Sequence, residues 1–336
     1  MNRRDLIKKV ALAGILTAVP FSEFYGAEKE KEKEVKDNFS GFQKVKMGDL
    51  TIYILSDGYL REDDIKTYAP KADAKELKNL LKANFRPADH IDMAINVPLV
   101  QTRDRLILFD SGMGIFADER TGFLQKSLSK AGFARKDITD VFISHAHIDH
   151  IGGLIDKNDA LVYPNAVYHI SKREFDFWMN AEESDFTSSY LINEPKKIQF
   201  LVQGAQKVLK VIESKTTFFD FSSTLYSYFS FESAQGHTPG MTMISVQVAG
   251  KKLTYIADLS HSDVLLFSHP EWGFFADTDI QMAARSRRDI SGQLAENGNL
   301  ALGYHLPWPG LGNVAKAEEN FRWIPYPVYR PGEIEL

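Results

Sequence analysis

The chain has 336 residues, 44% hydrophobic and 25% charged, with a formal net charge of -5 and no cysteine. That length supports a sizeable core, and the charge gives no electrostatic case for nucleic acid, which calls for a basic surface. Without thiols there is no disulfide scaffold, thiolate zinc finger or cysteine nucleophile, so any metal must be bound through nitrogen and oxygen.

Asn2-Arg3-Arg4-Asp5-Leu6-Ile7-Lys8-Lys9 precedes an apolar run from Val10 to Phe21 and a short polar stretch ending at Ala27. This is the charged, apolar and small-residue layout of an export signal, and its paired arginines resemble the twin-arginine type. The apolar run is about half of the ~20 residues that a bilayer span needs, so it predicts no stable membrane anchor. Residues 1–27 therefore predict export to the periplasm or beyond. The alternating charges Glu28 to Glu34 make residues 28–41 a solvated linker, and residues 42–336 read as one domain.

Short strand-like runs follow. Val45 to Met47 and Thr51 to Leu55 flank a hairpin-type turn at Gly48-Asp49. Residues 71 to 83 have helical spacing, with Leu77, Leu80 and Leu81 on one face. Strands are predicted at Asn96 to Gln101 and Leu106 to Phe109, a helix at Gly122 to Ala131, and a strand at Asp140 to Ser144. Val167 to Ile170 reads as strand and Lys172 to Asn180 as helix. The second half repeats the outline, with strands near Thr217 to Phe219, Leu225 to Phe231, Met243 to Ala249 and Leu253 to Ala257. A helix within Asp279 to Asn297 and a strand at Leu300 to Tyr304 complete it. This alternation predicts two sheets packed face to face with helices outside.

The strand at Asp140 to Ser144 runs into His145-Ala146-His147-Ile148-Asp149-His150, followed by Gly152-Gly153. In extended chain, His145 and His147 project to one side and can share a metal. Asp149 and His150 come later in the turn and can serve a second metal beside it. The glycines let the backbone turn tightly underneath. From average composition, a chance match to this pattern is roughly a one-in-a-million event per start position. Further candidate ligands follow strand-like runs: His237 in Gly236-His237-Thr238-Pro239-Gly240, Asp258 after "KKLTYIA", and His305 after "LALGY".

In this order, these residues resemble the metallo-β-lactamase superfamily, in its dinuclear hydrolase branch, over roughly residues 42 to 330. Asp258-Leu259-Ser260-His261 and the stretch His305 to Gly312 are similar to methyl parathion hydrolases and secreted acyl-homoserine-lactone lactonases. The resemblance implies an αββα sandwich. It implies a first metal on His145, His147 and His237, a second on Asp149, His150 and His305, and Asp258 bridging both. It also implies that Asp110 orients a ligand histidine by accepting its other ring N–H. Two positions depart from the pattern. Met241 stands where many relatives have a further histidine, and His261 stands where the best-known lactonases place a substrate-facing tyrosine.

The cofactors expected are two divalent cations, zinc first, with manganese, cobalt or iron accepted by the same donors. Such a pair can hold a hydroxide near neutral pH, with Asp149 and Asp258 in the catalytic machinery, and His261 as a proton donor or substrate hydrogen-bonder. Aromatics near the expected site loops are Phe116, Phe177, Trp178 and Trp308; of these Trp178 and Trp308 are the candidate pocket residues. The expected reaction is the opening of acyl-homoserine-type lactones by metal-bridged hydroxide attack, on a small hydrophobic lactone or ester substrate, with organophosphate triester or aryl ester hydrolysis as the alternative and a non-haem iron oxygenase as a third reading. A homodimer is compatible with the resemblance, although no stretch identifies an interface.

Overall fold

The computed structural model describes residues 41–219, 221–222, 224–329 and 332–336. The export-signal reading of residues 1–27, and the linker reading up to residue 40, lie outside the described residues. In chain order the strands are β1 Phe42–Met47, β2 Leu50–Glu62, β3 Ile91–Gln101, β4 Leu106–Phe109, β5 Asp140–Phe142, β6 Val167–Ile170 and β7 Thr216–Phe218. They continue with β8 Phe229–Ser233, β9 Thr242–Val248, β10 Lys251–Ala257, β11 Leu300–Gly303, β12 Leu311–Ala317, β13 Asn320–Pro325 and β14 Glu333–Glu335. The helices are α1 Ile65–Tyr68, α2 Ala74–Ala83, α3 Leu124–Lys130, α4 Ile148–Ile151, α5 Lys172–Asn180, α6 Pro195–Ile212, α7 Leu265–Ser268 and α8 Ile280–Asn297.

An eight-stranded sheet in the order β14-β1-β2-β3-β4-β5-β6-β7 faces a six-stranded sheet in the order β13-β12-β11-β10-β9-β8. Period-two alternation explains why the second sheet is buried on both sides. Leu253 and Tyr255 of β10, Ile244 and Val246 of β9, and Leu302 of β11 enter the core between the sheets. Their neighbours Ile256, Met243 and Ala301 point outward onto Ile290 and Leu294 of α8. Across the interior, Phe109 and Phe142 of the first sheet pack against Phe229 and Phe231, with ring centroids 5.2–6.0 Å apart. The outer face of the first sheet carries α3, whose Ser127 hydroxyl donates to the Ser56 carbonyl at 2.6 Å. The layers are those of an αββα sandwich. Among the described residues no helix is long and apolar enough to cross a membrane.

Several boundaries differ from expectation for local reasons. α2 begins at Ala74 because Asp73 caps it, accepting from the backbone N–H of Lys75 and Glu76. β8 starts four residues late because Tyr226 and Ser227 adopt left-handed backbone (φ 53° and 63°) and reverse the chain. α6 has no counterpart in the sequence reading. Its spacing was nonetheless legible, since Ile198, Val202, Ala205, Leu209 and Ile212 recur at intervals of three and four and are all buried.

The topology gathers the ends of several strands at one edge of the sandwich. β4 and β5 run parallel in one sheet, and β10 and β11 run parallel in the other. β8 and β10 both pair antiparallel with β9, so β8 also ends at that edge. The edge is stitched across the sheets. Thr242 N–H donates to the Ser144 carbonyl at 2.9 Å, and the buried Asn96 amide donates to the Gly303 and Leu306 carbonyls at 3.0 and 2.7 Å.

Candidate active site

Five of the strands ending at this edge, β4, β5, β8, β10 and β11, deliver the parts of a polar cluster. Asp110 follows β4, His145 to His150 follow β5, His237 follows β8, Asp258 follows β10 and His305 follows β11. Two of these exits are strained: Asp110 and Ala257 hold left-handed backbone at φ 61° and 45°. Such conformations cost free energy and persist only where the surroundings enforce them. Beneath the histidine run the chain turns with no room to spare. A Cβ on Gly152 or Gly153 would lie about 2 Å from the Met113 or Ser111 carbonyl oxygen.

The side chains form two groups that could each hold a metal ion, His145, His147, His237 and Asp258 in one, Asp149, His150, Asp258 and His305 in the other. Asp258 belongs to both. Its Oδ2 lies 3.3 Å from His237 Nε2, 3.3 Å from His305 Nε2 and 3.6 Å from His145 Nε2. Its Oδ1 lies 3.1 Å from His150 Nε2. Asp149 Oδ2 is 3.1 Å from His305 Nε2 and 3.6 Å from His150 Nε2.

The donor set fits a pair of cations. His147 Nε2, His150 Nε2, His237 Nε2 and Asp258 Oδ1 are buried and have no hydrogen-bond partner, a condition native interiors tolerate only where something else satisfies the atom. Burial pushes the imidazoles of His145 and His147 well below their usual range, which keeps them in the neutral, ligating form. Burial also works against charge on His150 and His305, yet the neighbouring carboxylates, Asp258 first, draw His150 well above its usual range and His305 up to about 9. The carboxylates thus favour positive charge in the buried cluster, whether it sits on an imidazole or on a bound cation.

A second layer aims these groups. Asp110 Oδ2 accepts from His150 Nδ1 at 2.8 Å and from the Tyr255 hydroxyl at 2.6 Å, and its carboxylate also takes the Ser144 N–H and hydroxyl. The His305 Nδ1 is 2.9 Å from the Ala94 carbonyl. Asp277 Oδ1 lies 2.9 Å from His237 Nδ1 and is itself paired with the buried Arg287 at 2.8 Å. Fixing the outer nitrogen leaves Nε2 for the cluster. Asp277, Asn96 and Glu174, a buried carboxylate behind the first group, escaped the sequence reading. None lies in a motif or ends a strand, so only the folded chain brings them near the ligands.

Above the cluster lies a cleft whose wall includes Leu60, Leu191, Phe200, Leu201, Phe274 and Phe275, with His147, Asp149, His237, Asp258, His261 and His305 at its floor. Among the described residues Lys197 is the one lysine or arginine on its wall, and its ammonium lies 5.8 Å from the Phe275 ring centroid. α6 supplies Lys197, Phe200 and Leu201 at helical spacing. His261 stacks on Phe274 at 3.6 Å and places Nε2 3.0 Å from Asp258 Oδ2. Burial lowers it to about 3, so it is a neutral hydrogen-bonding group.

Neither tryptophan lines this cleft. Trp178 is fully buried behind the site, where its indole N–H donates to Glu174 at 2.7 Å and its ring meets His147 edge-on at 5.3 Å. Trp308 is 41% exposed between Pro307 and Pro309, outside the cleft wall. Phe116 packs edge to face with Phe200, ring centroids 6.0 Å apart, and is not part of the cleft wall.

The fold and this geometry have counterparts among known proteins. AidC, described as a dizinc quorum-quenching lactonase in complex with a product N-hexanoyl-L-homoserine, is 51% identical, with 88% of this chain and 100% of that chain covered at a TM-score of 0.86. The hydrolase AbOPH, of the beta lactamase superfamily, is 23% identical over 86% of this chain and 99% of that one, with a TM-score of 0.78. A probable metal-dependent hydrolase from Staphylococcus aureus is 18% identical over 85% and 100%, with a TM-score of 0.68. These two share the fold. No curated protein matches the sequence. The profile of the metallo-beta-lactamase superfamily matches residues 91–295, which span both candidate metal groups except His305, and the chain belongs to that superfamily.

Proposed function

We propose that this metal-dependent hydrolase opens N-acyl-homoserine-type lactones at a dinuclear centre and acts after export. The observation that carries the reading is the seating of an apolar cleft directly on the shared carboxylate Asp258. The 51% identity to AidC supports the same substrate class. His145, His147, His237 and Asp258 would hold one divalent cation, and Asp149, His150, Asp258 and His305 the other; imidazole and carboxylate donors suit zinc. When bound, such a pair makes water nucleophilic near neutral pH and polarises a carbonyl oxygen.

The protein groups divide the remaining work. Asp149, between His150 and His305 at the cleft floor, accepts the proton of the attacking water. The water oxygen bonds to the lactone carbonyl carbon, the ring C–O bond breaks, and the proton returns to the departing alkoxide, leaving acid and alcohol. His261, neutral and stacked on Phe274, donates its Nε2–H to Asp258 and so has only Nδ1 left, an acceptor for the amide N–H of the acyl chain. Leu191, Phe200, Leu201 and Phe275 bury the acyl chain, a gain of about 0.8 kcal/mol for each CH₂ taken from water. Longer acyl chains, up to the capacity of the cleft, should therefore bind more tightly.

The test is turnover of the zinc-loaded mature protein on a long-chain N-acyl-homoserine lactone and on a methyl phosphotriester. The expected outcome is a lactone kcat/KM higher by about 10³ or more, roughly 4 kcal/mol in transition-state binding. The reverse ratio would make the protein a phosphotriesterase and overturn the reading.

A further inference from the structure

We propose that Glu174 is a positioning residue for the first metal group, setting the spacing between the His145–His147 loop and the His237 loop; this rests on the dinuclear reading above. Glu174 lies in the first turn of α5 and is fully buried. One carboxylate oxygen accepts from the Ala146 N–H at 2.9 Å and from the Trp178 indole at 2.7 Å. The other accepts from the Thr238 hydroxyl and the Gly240 N–H, both at 2.8 Å.

Ala146 sits between two ligands of the first group, and Thr238 follows the third. The two loops come from different sheets, after β5 and β8, so this carboxylate spans the sandwich at the site. The approach is close: a Cβ on Gly240 would lie 2.4 Å from the Glu174 backbone nitrogen. Trp178, held by the same carboxylate, presses its ring edge on His147. None of the four donors belongs to Asp149, His150 or His305, whose supports are Asp110, Tyr304 and the Ala94 carbonyl. Loss of Glu174 should therefore weaken one group more than the other.

Glutamine tests this at nearly constant shape. Only a carboxylate presents acceptors on both oxygens, so Glu174→Gln turns one end into an NH₂ facing two donors. The full-length protein and Glu174→Gln would be titrated with Co(II), whose absorption reports each site, and back-titrated with a chelator. The wild type should bind two equivalents. Glu174→Gln should hold one of them about 10- to 100-fold more weakly and leave the other unchanged, and His237→Ala should weaken the same equivalent. The double variant should lose less than the two single losses combined, because both act on one site.

Thr238→Val, which removes one donor and keeps the packing volume, should show the same selective loss at a few-fold level and serves should the glutamine variant not fold. Equal weakening of both equivalents, or lower thermal stability with unchanged metal affinities, would show a merely structural role and overturn the proposal. A wild type that binds fewer than two equivalents would overturn the dinuclear reading itself, and the proposal with it.

Discussion

β5 has a buried cluster of histidine and aspartate at each end, and the two behave differently. At its start, the Asp140 carboxylate accepts from the Tyr226 hydroxyl at 2.7 Å, the Thr139 hydroxyl at 2.7 Å and Arg105 at 3.0 Å, with His169 Nε2 2.9 Å away. None of these side chains has a buried polar atom without a partner. Beyond its other end, His147, His150, His237 and Asp258 each keep such an atom inside the two metal groups. The residue types are alike, and what distinguishes the site is unsatisfied polar atoms converging on one point. A satisfied cluster ties β4, β5 and β6 together; an unsatisfied one requires a ligand.

The largest effect should come from Asp258→Ala, which removes the carboxylate shared by both groups. We expect kcat/KM to fall by about 10³ or more and metal content to drop, with the far-UV circular dichroism retained. His147→Ala should act in the same direction. Near-normal turnover in either would break the contrast between the two ends of β5. Asp110→Asn should do less. It disturbs the aim of His150 without removing a ligand, at a cost of about 10- to 100-fold in metal affinity, measurable by chelator competition.

Asp140→Ala should invert the pattern, lowering stability by about 2 kcal/mol in denaturant unfolding through lost buried hydrogen bonds. Turnover per folded molecule should stay within about twofold, since the site lies at the other end of the strand. A large loss of kcat at full folding would show that the two clusters are coupled.

The smallest effect is in the pH dependence of stability. Burial tends to raise Asp140, but its hydrogen bonds, His169 first, hold it down at about 2 from an ordinary 3.8. Its contribution is present above pH 3.8 and is lost as pH falls toward 2. Asp57, buried between the Met113 and Leu124 N–H groups, is pushed by burial up to about 7. Its sign is opposite: the contribution is full below pH 3.8 and is lost as pH rises through about 7. Thermal unfolding of Asp140→Ala should lose part of the acid-side slope and keep the neutral-side one.

Much of the candidate site was legible in the sequence because the candidate metal ligands follow strand ends. The run His145 to His150 needs only an extended segment and a tight turn to present its donors, and Asp258 and His305 each directly follow an apolar run that reads as a strand. The two-sheet layering was legible in the order of the elements, strands and helices followed by strands and helices again. Tertiary structure alone decided the rest. Asp277 reaches His237 from 40 positions away, and Glu174 joins loops from two sheets. No local pattern encodes such contacts, because they depend on where separate elements meet. The cleft wall is of the same kind. The two tryptophans are prominent in the sequence, yet Trp178 went behind the site to satisfy its indole N–H on Glu174, while the wall came from α6 and the Phe274–Phe275 turn, whose places are fixed by packing against the sandwich edge.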